Sequence, residues 1–274
     1  METLSRRWRP AAAAVILRAV AACAVSVQQE IRLGQDYATE IDRTMPVVHD
    51  QAIQAALDQA ARPVLAVAAR RDLPWTFRVV NTGDVNAFAV PGGHIYVTRG
   101  LLEHATSYDQ LAGVLGHEIG HVDLRHSAKQ MEKAQAASLG VNLGYILLGR
   151  QPGRTESTTL NIAASVVFAK FSRDDERQAD HAAVRYLTAA GIDPDGMTDM
   201  FRILQQLETS QPDAIAQFFA SHPMTADRIA DVEHVIAADS AAQRAARAGD
   251  RDRPVFHDLQ RAARALPPPP KPAS

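Results

Sequence analysis

The sequence carries the run His117-Glu118-Ile119-Gly120-His121. Residues four apart share one face of an α-helix, so the imidazoles of His117 and His121 can reach a single metal ion. Glu118 falls beside them, where its carboxylate can hold a water as general base. A chain of 274 residues with 10 His is expected to show such a run about 0.01 times by chance. The preceding segment Leu111–Gly116 is apolar, small and free of proline, as a helix requires. Gly116 and Gly120 are poor helix formers, which points to close packing there. Further on, Glu176-Arg177-Gln178-Ala179-Asp180 puts two carboxylates on one helix face. Alone this pair reads as a solvated charge run. Beside two metal-binding imidazoles, Glu176 becomes the expected third ligand, and Asp180 can bond a ligand imidazole from behind.

Two His and one Glu leave a coordination position open for water, the mark of a catalytic rather than a structural zinc site. One zinc ion per chain, held this way, would acidify that water and polarise a carbonyl oxygen. Glu118 would take the water proton and pass it to a leaving amine, so peptide hydrolysis is the natural reaction. Zinc follows here from ligand type, and the affinity order alone would also admit cobalt or copper.

The elements that must position these groups can be read coarsely. Residues 28–69 show helical periodicity punctuated by Pro46 and Pro63. Thr76–Val80 alternates as a strand, and Asn86–Val90 and His94–Thr98 form two more around the turn Pro91-Gly92-Gly93. An exposed edge at Asn86, Ala87, Phe88 and Ala89 could bind a substrate backbone by strand addition. By spacing alone the segment is only a hairpin. A helix leads through Leu111, Val114 and Leu115 into His117, and others are expected near Asp174–Ala190, Met197–Leu207 and Ala226–Ile236. The fold class is α+β: a mostly helical domain with a small antiparallel sheet beside the metal-binding helix.

Composition closes off other classes. Charge is nearly balanced, 29 basic against 31 acidic residues, so no nucleic-acid partner is expected. The single cysteine, Cys23, excludes an internal disulfide and any CxxC metal site. The chain has no GxSxG, Walker or GxGxxG motif. Residues 1–23 read as an export signal, with Arg6, Arg7 and Arg9 before the apolar stretch Ala11–Ala22. Val20-Ala21-Ala22-Cys23 resembles a lipobox, while Ala19 and Ala21 equally suit ordinary cleavage. The expected location is the periplasm, with a lipidated Cys23 as one means of membrane attachment. The remaining division is a domain over 24–240 and an Ala/Arg/Pro-rich helix and tail over 241–274.

Several segments together resemble a known zinc metallopeptidase family. They are QEIRLG (29–34), NAFAVPGGHIYVTRGLL (86–102), GHEIGHV (116–122), Arg125-His126, FSRDDERQAD (171–180), Ser221-His222-Pro223 and Arg228. The family includes the CAAX prenyl endopeptidases, the HtpX and Oma-type membrane proteases and the periplasmic BepA/LoiP-type enzymes. The resemblance, over roughly 28–235, implies a zincin-type domain with His117, His121 and Glu176 as zinc ligands and Glu118 as base. It further implies that Asp180 supports a ligand and that His222 and Arg228 lie near the metal. They would stabilise the oxyanion there, or His222 would fill the open position at rest. Without paired membrane spans or a C-terminal helical repeat array, a compact exported peptidase is the closest likeness. His126 lies off the metal face and is expected to be structural. His49, His94, His104, His181, His234 and His257 show no ligand spacing.

The expected substrates are unfolded or misassembled envelope proteins. The competing reading is a zinc-bound chaperone or assembly factor with little turnover, which would not need Glu118. Residues 134–168 fall where members of the family carry a loop that can cover the site. If that segment gates access, deleting it changes peptide turnover; unchanged turnover in the deletion variant removes the role.

Overall fold

The computed structural model describes residues 25–133, 170–224, 226–248 and 251–269. The expected export signal over residues 1–23, with Cys23, and the segment 134–168 lie outside the described residues. The elements in chain order are α1 (Val27–Thr44), α2 (Gln51–Leu65), β1 (Thr76–Val80), β2 (Ala87–Val90), β3 (His94–Thr98), α3 (Arg99–His104) and α4 (Tyr108–Asp123). They continue with α5 (Arg173–Ala189), α6 (Asp195–Ser210), α7 (Pro212–Ser221), α8 (Ala226–Ala238), α9 (Ser240–Ala248) and α10 (Pro254–Arg264).

α4 is the centre of the molecule. Every residue from Tyr108 to Val122 is buried, the mark of a helix enclosed on all sides. Its glycines explain how neighbours come so close. A Cβ on Gly120 would stand 3.1 Å from both the Ala179 carbonyl oxygen and the Ala182 methyl of α5. A Cβ on Gly113 would stand 3.0 Å from Met197 Cα of α6. The expectation of close packing at the glycines therefore holds, and it is α5 that packs most extensively on α4.

The α+β class holds as well, but the sheet is mixed rather than wholly antiparallel. Its order is β1-β3-β2, with β2 antiparallel and β1 parallel to β3. The three-residue turn Pro91-Gly92-Gly93, whose two glycines have positive φ, makes the hairpin. The chain leaving β1 skips one place, so β3 returns into the gap beside β1 in the same direction. Side chains alternate between two apolar clusters. Phe88, Val90 and Tyr96 join Ile41 and Val47 beneath α1, while Ala87, Ala89, Ile95 and Val97 join the main core with α4. With both faces covered, β2 and β3 are buried at every residue, unlike a half-solvated hairpin.

The C-terminal segment is part of that core. α10 packs against α2 and α3 and buries Phe256, Leu259 and Ala263 completely. Gln260 Nε2 donates to the carbonyls of Leu102 and Ala105 at 2.9 and 2.8 Å, satisfying the end of α3. A division at residue 240 therefore does not mark an edge of the core. The physical reason is the apolar face of α10, which the abundance of Ala and Arg masks in the sequence. Phe256→Ala is expected to cost about 3–5 kcal/mol in urea unfolding; a tail outside the core would cost under about 0.5 kcal/mol.

Candidate active site

His117, Glu118 and His121 lie in the second half of α4, and α5 brings Glu176 in its first turn. The start of α5 is set by a capping box. Ser172 Oγ accepts the Asp175 amide and Asp175 Oδ2 accepts the Ser172 amide, both at 3.1 Å. His222 follows α7 directly, its amide donating to Phe218 O at 2.7 Å. Four donor atoms from His117, His121, Glu176 and His222 lie within 4.8 Å of one another, all on buried residues.

Their separations are informative. His117 Nε2 is 3.0 Å from His121 Nε2, 3.3 Å from His222 Nδ1 and 3.6 Å from Glu176 Oε2. Glu176 Oε1 is 3.3 Å from His121 Nε2 and 3.1 Å from His222 Nδ1. Metal–donor bonds of about 2.0–2.1 Å give a tetrahedron with edges of about 3.3–3.4 Å. Three imidazoles and one carboxylate converging at this spacing fit zinc. Thiolates are absent from the set, and two of the imidazoles come from a single helix face, as their spacing predicts.

Asp180 stands behind the first histidine, with Oδ1 2.8 Å from His117 Nδ1. Arg228, on α8, does not face the metal position with free donors. Its Nε and Nη2 donate to the two oxygens of Asp180 at 2.8 and 2.7 Å. Its Nη1 lies 2.7 Å from Glu176 Oε2 and 3.2 Å from Pro223 O, and the guanidinium rests 4.7 Å from the Phe201 ring centre. Each of its nitrogens is engaged in this conformation, and the group neutralises two buried carboxylates beside the metal position.

Asn86, Ala87, Phe88 and Ala89 are buried. β2 is indeed the outer strand, yet Ala87, Phe88 and Ala89 are 0%, 5% and 9% exposed, and Asn86 is 6% exposed. α1 and α4 cover its faces, and the Val85 amide just before it donates to Ala214 O of α7 at 2.7 Å. Its residues are thus largely shut off from solvent in this conformation. The Ala89 amide still acts on Glu118, favouring the charged carboxylate.

The electrostatics sort the acids. Burial raises the pKa of Glu118, against the pull of His222 and His117, which suits a group that must take up a proton. Glu176 is equally buried, but His222, His121 and His117 overcome that and hold it well below the usual range. Asp180 is also held down, by His117 and Arg228 against burial. Burial pushes His121 well below the usual histidine value, leaving it neutral and able to ligate. His222 is raised because Glu176 and Glu118 outweigh its burial.

Two residues to which the sequence assigns no role at the site lie against His121. Phe171 places its ring 4.0 Å from that of His121. His126 brings Nδ1 to 2.9 Å from His121 Nδ1. No periodicity signals His126, because a position five residues on is off the helix face. The turn that returns it depends on Arg125, whose φ is 59°.

Residues 50–236 match the family model described as Peptidase family M48. The chain belongs to peptidase family M48. Metalloproteases of this family use zinc, and the donor set here fits that ion. It is 28% identical over 219 residues to the beta-barrel assembly-enhancing protease of Escherichia coli K12, covering 77% of this chain and 44% of that protein. It is 30% identical over 214 residues to mitochondrial metalloendopeptidase OMA1 of Schizosaccharomyces pombe, covering 76% of this chain and 61% of the relative. Metalloprotease YcaL of Escherichia coli K12 matches at 32% over 164 residues, 60% of this chain and 63% of that one. The chain thus spans less than half the length of the assembly-enhancing relative.

The Asp180–Arg228–Glu176 arrangement makes a prediction about pH. Asp180 has a depressed pKa when folded, so its stabilising effect is present above about pH 4 and lost as pH falls through the lower folded value. Arg228→Leu leaves two buried carboxylates uncompensated and should cost about 3–5 kcal/mol at pH 7. The deficit should shrink toward pH 4, as those acids protonate in the variant. Denaturant unfolding of both proteins at several pH values measures this.

Proposed function

We propose that this family M48 chain is a zinc endopeptidase that cleaves unfolded or misassembled proteins of the cell envelope. The convergence of His117, His121, Glu176 and His222 around one point, with Glu118 beside it, carries the proposal.

In this reading His117, His121 and Glu176 hold the metal. Zinc bound there supplies a Lewis acid that acidifies water and polarises the scissile carbonyl. Glu118, buried and with its pKa raised, takes the proton from the attacking water and delivers it to the leaving amine. Asp180 fixes His117 from behind, Arg228 helps keep Asp180 ionised, and the three imidazoles do the same for Glu176.

His222 occupies the position that substrate or water would need, so this is a resting conformation. All these donors are at most 4% exposed, and turnover requires His222 and the adjoining α7 to withdraw. Withdrawal would also uncover the edge of β2, where Asn86, Ala87, Phe88 and Ala89 can pair with an extended peptide. An apolar recess lined by Val114, Met197, Met200, Phe201, Leu204 and Phe218 lies against His117 and Glu118. It holds only about 10 Å³ in this conformation, and withdrawal of Phe218 with α7 would open it to an apolar substrate side chain.

Envelope substrates are supported by the name of the Escherichia coli relative, a beta-barrel assembly-enhancing protease, and agree with the export signal expected over residues 1–23. The protein would act in the periplasm, tethered to a membrane where Cys23 is lipidated. No helix among the described residues is long and apolar enough to cross a membrane.

The test is cleavage of casein by the chain from residue 24 onward, beside Glu118→Gln, with zinc content measured in both. Glu118→Gln should retain zinc and lose turnover by about 10²–10⁴-fold. Zinc in both proteins without turnover in either would favour the client-holding alternative. Absence of zinc from the wild type would overturn the metal assignment.

A further inference from the structure

We infer that His126 is a positioning residue for His121, accepting the hydrogen on His121 Nδ1 and so aiming His121 Nε2 at the zinc. The inference rests on the zinc assignment above and extends it to a residue that touches no metal.

The geometry leaves little choice about the protons. His121 Nε2 is the atom that converges with His117 Nε2 and Glu176 Oε1. A neutral imidazole that gives one ring nitrogen to a metal carries its hydrogen on the other. That hydrogen, on Nδ1, points at His126 Nδ1 across 2.9 Å. For the contact to be a hydrogen bond, His126 Nδ1 must be bare and its own hydrogen must sit on Nε2. Ligand histidines ordinarily donate this second hydrogen to a carboxylate, carbonyl or water. His117 follows that habit with Asp180, whereas His121 uses an imidazole.

The surroundings hold His126 in this role. α4 ends at Asp123, and the left-handed Arg125 turns the chain so that His126 folds back under His121. Arg125 is itself fastened: its Nε donates to Glu30 Oε2 of α1 at 3.0 Å. Arg70 donates to both oxygens of the same buried Glu30 at 2.8 and 3.1 Å, and to Val122 O at 3.0 Å. Phe171 covers the pair, its ring centre 4.0 Å from His121 and 6.2 Å from His126. His126 is 1% exposed. Water therefore has little access to replace its nitrogen, and removing that acceptor would strand a buried donor.

The test compares zinc affinity, by competition with a chromophoric chelator, in the wild type, His126→Asn and His126→Leu. Asn offers an oxygen close to where Nδ1 stood; Leu offers none. His126→Leu should weaken zinc binding about 10–100-fold, and His126→Asn should stay near the wild-type value. The metal-free unfolding midpoints of the two variants should match, and the cobalt absorption spectrum should change in the Leu variant only. Unchanged zinc affinity in His126→Leu, or equal losses in both variants, would overturn the proposal. Nitrogen NMR of the zinc-loaded wild type decides even if a variant fails to fold. It should show hydrogen on His121 Nδ1 and His126 Nε2, and a hydrogen on His126 Nδ1 would refute the bond. A wild type that binds no zinc would instead refute the underlying metal assignment.

Discussion

The close approach of α4 and α5 sets the site. A ligand carboxylate in the first turn of one helix can meet two imidazoles on another only if the backbones nearly touch. Gly120 against Ala179 and Ala182 allows that distance, and any larger pair would separate Glu176 from His117 and His121. The glycines cost helix propensity within α4. Burial on every side compensates, because tertiary packing rather than intrinsic preference holds this helix.

Bringing the helices together creates an electrostatic problem. Glu118, Glu176 and Asp180 are all essentially without solvent, and three buried carboxylates repel one another strongly. Arg228 answers two of them with one planar group, gripping Asp180 at both oxygens and reaching Glu176. Glu118 is left outside that grip and its pKa rises. Burial thus raises the base Glu118, while the surrounding imidazoles hold Glu176 ionised and His117 and Arg228 hold Asp180 ionised. His222 adds a second, removable partner, standing 3.6 Å from Glu118 and 3.1 Å from Glu176.

A further frame surrounds these contacts. α1 reaches the exit of α4 through Glu30, Arg70 and Arg125, while α7 closes over β2 and delivers His222. Substrate access and ligand orientation therefore depend on elements from opposite ends of the chain. The C-terminal helix α10 contributes stability to the same core at a distance from the chemistry.

Much of this was legible in the sequence because local spacing reports local geometry. Four residues per step on a helix face placed His117 with His121 and Glu176 with Asp180, and alternation with a Pro-Gly-Gly turn marked the strands. Those signals depend only on the regular repeat of backbone structure. The pairing direction of β1, the cover over β2, the engaged donors of Arg228 and the contact from His126 to His121 depend on which distant surfaces meet. No periodicity encodes them. Residue types specified the available chemistry, but only the three-dimensional packing decided which group faces the metal, which stands behind a ligand and which is shut away from water.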